Sequence, residues 1–205
     1  MKTSRLTHLS LIPLLLVCLA GKLAAGPVLV PKGIEFDAGT AGKFVISAPA
    51  LQLDKGNEQP AFDVANDIGT AVYPSGAKVE CKVQGDEVIF VFSNLPANAR
   101  GFKFQLGVPL SFNNGGKYAF GANPPKDFPV DKGSQFIEQG SAISKFSVTA
   151  PTKDGWIIEV PTNWYGLQDN RLFNSNSYSF QFLYDLKAHP NDTQFPIKIT
   201  IVPAS

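Results

Sequence analysis

Past residue 25 this chain carries no amphipathic helical stripe. No window places apolar residues at i, i+3, i+4 and i+7 between capping residues. Glycine and proline instead cut it into short segments, most of which alternate apolar and polar residues. A period of two puts successive side chains on opposite faces of a strand. Many short strands at roughly ten-residue spacing leave an all-β sandwich or barrel. The 16 phenylalanines supply large side chains for the gap of about 10 Å between facing sheets. The expected fold is a jelly-roll-like antiparallel β-sandwich of about ten strands. It forms a single domain, residues 26–205, after an N-terminal signal peptide.

The strands can be placed one by one. Residues 43–47 (KFVIS) and 51–53 read as the first two. Residues 61–73 contain Asp63, Asn66 and Asp67 and read as a turn-rich loop before a short strand around Val72. Residues 77–92 (AKVECKVQGDEVIFVF) are the best hairpin, turning at Gln84, Gly85 and Asp86, where Gly85 supplies the unusual backbone angle. Residues 88–92 are apolar at every position, which predicts a central strand covered on both faces. In residues 102–108, Phe102, Phe104 and Leu106 point one way, Lys103 and Gln105 the other. Further strands are expected at 118–120, 134–138, 143–149, 156–160, 178–185 and 195–202. Residues 121–133 form a long loop stiffened by Pro124, Pro125 and Pro129. A short helical turn is expected around 166–170.

The first 25 residues have the pattern of a secretory signal: Lys2 and Arg5, an apolar run over 11–20, then small residues over 21–25. The run is shorter than the 20 or so residues that span a bilayer. Cleavage is expected near Ala25, with Ala20 as the alternative, and the product is secreted to the periplasm or outside the cell. Losing Lys2, Arg5 and Lys22 from 18 basic residues leaves 15 against 17 acidic ones. With no cluster of Lys and Arg, the chain lacks a nucleic-acid footprint. Only Cys81 remains after cleavage, so no internal disulfide forms. Cys81 sits in an alternating strand without a neighbouring His or Arg and reads as a buried, inert thiol.

Catalytic signatures are scarce. After the signal there is one histidine, His189, in a polar turn. No G-x-S-x-G, H-E-x-x-H or C-x-x-C motif occurs. Glycoside hydrolysis needs two carboxylates across a cleft. Asp63, Asp67, Asp127, Asp131, Glu138, Asp154, Asp169 and Asp185 are the candidates, and only the fold decides which of them meet. Asp63, Asn66 and Asp67, or Asp127 and Asp131, offer oxygen ligands for a structural Ca²⁺; no other cofactor is expected.

Binding fits the side chains better. Residues 162–171 (TNWYGLQDNR) read as a polar and aromatic turn between two strands. Saccharides place apolar C–H faces on aromatic rings and give their hydroxyls to amides and charged groups. Trp164 and Tyr165 are the candidate platforms, and Asn163, Gln168, Asp169 and Arg171 the polar partners. The competing structural reading puts the rings in the core and makes Asp169 and Arg171 an ion pair that pins a corner. Tyr118 and Phe128, flanking the proline loop, form a second candidate rim. Trp156 reads as core.

The segment WIIEV (156–160), then GLQDNR (166–171), an Asn-Ser turn and YSFQFLYDL (178–186) resembles β-sandwich accessory domains of secreted bacterial polysaccharide-degrading enzymes. Residues 102–148 fit the same pattern. The resemblance implies a non-catalytic module whose partner is a polysaccharide or glycan, and it carries over no catalytic residue. The alternative is a structural or interaction protein of the envelope or extracellular matrix, with a protein partner. A polysaccharide hydrolase or lyase stands third.

Overall fold

A computed structural model describes residues 26–204. The signal peptide expected over residues 1–25, with its cleavage site, lies outside the described residues. The chain forms two antiparallel sheets of nine strands each, in place of about ten strands in all. The first sheet holds β1 (Val28–Val30), β2 (Gly33–Asp37), β3 (Lys43–Ser47), β4 (Ala50–Leu53) and β5 (Asn57–Glu58). The second begins with β6 (Ala61–Ala65), β7 (Ile68–Val72), β8 (Lys78–Gln84) and β9 (Glu87–Ser93). The remaining elements are β10 (Ala99–Pro109), β11 (Lys117–Phe120), β12 (Lys126–Asp127), β13 (Phe136–Gly140), β14 (Ile143–Thr149), β15 (Gly155–Thr162), β16 (Trp164–Asp169), β17 (Ser177–Asp185) and β18 (Gln194–Val202). The first sheet runs β1-β2-β3-β10-β17-β16-β13, with β4 also on β10 and β5 on β4. The second runs β12-β11-β14-β15-β18-β9-β8-β7-β6. Among the described residues no helix is long and apolar enough to cross a membrane.

Alternation explains the core. Phe102, Phe104, Leu106 and Val108 of β10 point inward, as do Tyr178, Phe180, Phe182 and Tyr184 of β17. Their rings meet those of the second sheet: Phe90 lies 5.2 Å from Phe104, and Phe146 stacks 5.2 Å from Phe180. Each fully buried Phe adds about 1.5–3 kcal/mol of hydrophobic stabilisation. Trp156 is fully buried, as expected, against Phe36, Phe44 and Phe112.

Three local expectations change. Residues 61–72 are not a loop but the β6–β7 hairpin, in register from Ala61↔Val72 to Ala65↔Ile68. Asn66 and Asp67 both take positive φ, 51° and 60°, the geometry of a two-residue hairpin turn. Strand β9 is central but covered on one face only, because Val91 is exposed. The helical turn falls at Asn170–Phe173 as a single 3-10 turn, after β16 rather than within it.

Candidate functional site

The segment read as one turn is mostly strand. Residues 164–169 pair with β17 on one side and β13 on the other. Alternation therefore divides the expected binding residues between two faces. Tyr165, Leu167 and Asp169 point into the sandwich and are buried. Trp164 and Gln168 point out of it and are partly exposed. Tyr165 packs 4.3 Å from Phe120, so its ring belongs to the core and offers no platform to a sugar. Tyr118 and Phe128 are buried too and form no rim.

Asp169 and Arg171 behave as a corner clamp. The Arg171 Nε donates to Asp169 Oδ1 at 2.9 Å and its Nη2 to Oδ2 at 2.7 Å. The backbone N–H of Arg171 also donates to Asp169 Oδ1 at 3.0 Å, capping the 3-10 turn. The guanidinium reaches on to the proline loop, donating to the carbonyls of Val130 at 2.6 Å and Asp131 at 2.8 Å. Tyr178 Oη donates to the carbonyl of Pro129 at 2.6 Å, beneath the same guanidinium. Hydrogen bonds from Arg171 hold the Asp169 carboxyl below the usual carboxylate range. Every polar atom of the pair has structural work. Asn163 also acts locally, its side-chain oxygen accepting from the Asp185 N–H at 3.3 Å.

The outward residues assemble with partners far away in sequence. One row across the first sheet reads Ala50, Lys103, Leu183, Trp164. The next reads Gln105, Gln181, Gly166, and a third Gly107, Ser179, Gln168, Phe136. The Lys103 Nζ sits 5.5 Å from the centre of the Trp164 ring, and Phe136 meets that ring edge-on at 5.7 Å. Gly166 makes this possible: a Cβ there would come within 3.0 Å of the Phe136 ring and 3.1 Å of Trp164. Amides link across the face. Gln181 Nε2 donates to Gln168 Oε1 at 3.0 Å, Gln168 Nε2 to Asn170 Oδ1 at 2.7 Å, and Asn170 Nδ2 to Ser177 Oγ at 3.0 Å. Gln181 and Ser179 are more than nine-tenths buried although they face outward.

Beside these rows lies a polar cleft of about 120 Å³ lined by Ser47, Gln52, Asn57, Gln59, Lys103 and Gln105. The Gln52 Nε2 is buried and has no hydrogen-bond partner. A buried donor left without a partner costs about 1–3 kcal/mol. Burial lowers the Lys103 pKa, and the ammonium makes no salt bridge with any described residue. Lys103 and Gln105 were legible as outward residues of one strand. Their place beside Trp164 depends on strand pairing, which no local pattern announces.

Several of the candidate catalytic and metal-ligating residues have structural roles. Asp127 pairs with Lys117, and Glu138 with Lys126. Asp154 accepts from Thr40 and from the Ala204 N–H. Asn66 and Asp67 make the hairpin turn. His189 stacks on Tyr184 at 4.8 Å beside Asp192. Cys81 is buried, and burial pushes its thiol up to about 12. Among the described residues no group of three or more His, Cys, Asp or Glu is placed to hold a metal ion.

By sequence the chain matches no protein family and no curated protein. By structure it is similar to part of the α-N-acetylgalactosaminidase NagBb from Bifidobacterium bifidum, with a TM-score of 0.53 at 7% identity. That match covers 87% of this chain and 35% of NagBb. Weaker likenesses are a GH31 family sulfoquinovosidase from E. rectale (TM-score 0.46, 7% identity, 86% and 32% covered) and the GH92 inverting mannosidase from Bacteroides thetaiotaomicron (0.47, 9%, 87% and 27%). The chain thus spans about a third of these enzymes' lengths. At such identities the NagBb match speaks to the all-β sandwich fold alone.

Proposed function

We propose that this chain is a secreted, non-catalytic β-sandwich module that binds a polysaccharide or cell-surface glycan on the outer face of its first sheet. One observation carries the reading. A partly exposed Trp164 stands on a face where Gln105, Gln168 and Gln181 occupy adjoining rows and Lys103 lies against the ring. An aromatic ring among amide donors and acceptors suits a ligand that is apolar on its C–H face and hydroxylated at its edges. The sandwich fold shared with part of NagBb, whose structure is described as a GalNAc complex, is in keeping with this use.

Native gels containing soluble polysaccharides test it. At least one should retard the wild-type protein, and Trp164→Ala should weaken that retardation about tenfold, the upper end of what an aromatic contact contributes. No retardation in any gel, with Trp164→Ala indistinguishable, would overturn the proposal. A second reading, contact with another protein, draws on Val130, Leu172 and Phe173, which are exposed together where Arg171 ties the 3-10 turn to the proline loop. It predicts association visible by light scattering and lost in Phe173→Asp.

A further inference from the structure

The outer face of the first sheet is not neutral. Lys103 stands on it as a half-buried ammonium. Its cross-strand neighbours are Ala50 and Leu183, followed by Trp164, none of which carries charge. The adjoining rows hold Gln105, Gln181, Ser179 and Gln168, again without a carboxylate. Asp185, in the row of Gly101, accepts from the Lys187 N–H at 2.7 Å and makes no ion pair with Lys103. Elsewhere in the chain lysines pair readily: Lys43 with Glu35, Lys78 with Glu80, Lys117 with Asp127 and Lys126 with Glu138. Lys103 is the cation that this pattern leaves over on the proposed binding face.

A second donor points the same way. Lys103 lines the cleft of about 120 Å³, and so does Gln52, whose Nε2 is buried without a partner. The two approach from adjacent strands, since Ala50 pairs with Lys103 and Gln52 with Gly101. Lys103 stands between two features, its ammonium over the Trp164 ring on one side and the cleft with the unpartnered Gln52 donor on the other. That cleft is smaller than the roughly 300–1,000 Å³ of a complete small-molecule site. Such a space suits one substituent of a larger ligand. A negatively charged group pairs with the Lys103 ammonium and, where it extends into the cleft, accepts from Gln52 as well; charge-assisted bonds are about twice as strong as neutral ones. The sugar ring bearing that group would then lie toward Leu183 and Trp164, along the same row.

We infer that the glycan bound on this face is anionic, with a carboxylate or sulfate held by Lys103 between the Trp164 ring and the cleft that Gln52 lines. This rests on the glycan-binding reading above and narrows it to acidic polymers. Net charge does not imitate the effect. Residues 26–205 carry 15 basic against 17 acidic groups, so a polyanion gains no general attraction.

The test is affinity electrophoresis in gels containing polygalacturonate, its methyl ester, hyaluronate, chondroitin sulfate or a neutral galactan. Wild type, Lys103→Met, Gln52→Leu and Trp164→Ala are compared after thermal melts have shown each to be folded. Retardation should be at least about tenfold stronger with one of the acidic polymers than with the neutral galactan or the ester, and should weaken with added salt. Lys103→Met should erase the preference for acidic over neutral polymers, whatever its effect on total binding, and Gln52→Leu should reduce that preference in part. Hyaluronate and chondroitin sulfate separate a carboxylate from a sulfate requirement. If wild type binds the neutral galactan or the ester as well as any acidic polymer, or if Lys103→Met keeps the preference, the acidic assignment is wrong while glycan binding stands. If no gel retards wild type, glycan binding fails and the acidic assignment falls with it.

Discussion

Replacing Asp169 by Asn should cost the fold about 3 kcal/mol at neutral pH. Asp169 is fully buried, and its partner Arg171 is only 13% exposed. Removing one member of a buried ion pair typically costs 3–5 kcal/mol, and the partial exposure of Arg171 places this pair at the low end. The loss extends beyond the pair, because the same guanidinium fixes the carbonyls of Val130 and Asp131. For a domain of this size 1 kcal/mol moves the melting temperature by about 2–4 °C, so Asp169→Asn should melt about 6–12 °C lower. The pH dependence follows from the depressed carboxyl. A carboxylate whose folded pKa lies below its unfolded value stabilises fully above that unfolded value, about 3.9, and loses the contribution as pH falls through the folded one. Urea unfolding of wild type and Asp169→Asn, followed by tryptophan fluorescence between pH 7 and pH 2.5, reads both effects. The stability gap should be full at pH 7 and narrow below about pH 4. A gap under about 1 kcal/mol at pH 7, or one unchanged at pH 2.5, would refute the clamp, since such values mark an exposed pair.

Tyr165→Ala should destabilise the protein by about 3–5 kcal/mol, the cost of emptying a buried aromatic site, whereas Trp164→Ala should cost less than about 1.5 kcal/mol; denaturant midpoints distinguish them. Cys81 should resist iodoacetamide at pH 8 in the native protein and react on unfolding, because burial pushes its thiol up to about 12. Gly166→Val should push the Phe136 and Trp164 rings off the face, since its Cβ alone would lie 3.0 Å from one and 3.1 Å from the other; glycan retardation should fall while the protein stays folded.

Most strands were legible because their alternation records a single buried face. Residues 102–108 show this plainly: Phe102, Phe104 and Leu106 share the inward face as read, and in the strand expected at 195–202 Ile197 and Ile199 are buried in the same alternating way. Gly85, with φ of 67°, marks its hairpin as the sequence suggests. Residues 164–169 do not look like a strand because both ends of the segment break the expected polarity. An aromatic, Trp164, faces out, and a carboxylate, Asp169, faces in, tolerated only because Arg171 two residues later neutralises it. Asn66 and Asp67 looked like loop residues, but two successive positive φ angles are what a tight hairpin turn requires. Val91 misled in the other direction, since an apolar residue on the outer face of a central strand looks the same in sequence as one beneath a second layer. The candidate site was half visible. Trp164 and Gln168 stand out locally, but Lys103, Gln105, Gln181 and Gln52 join them only through the pairing of β4, β10, β17 and β16.

The most direct measurement is the fluorescence of Trp164 alone. The chain has two tryptophans, so Trp156→Phe leaves Trp164 as the single reporter on the proposed face. Titrating that variant with the polysaccharide that retards wild type most should shift or quench the emission, with a midpoint matching the gel affinity. Emission that stays constant while the gel shows saturable retardation would place the glycan elsewhere and contradict the site; the absence of retardation by any polymer would contradict the function itself.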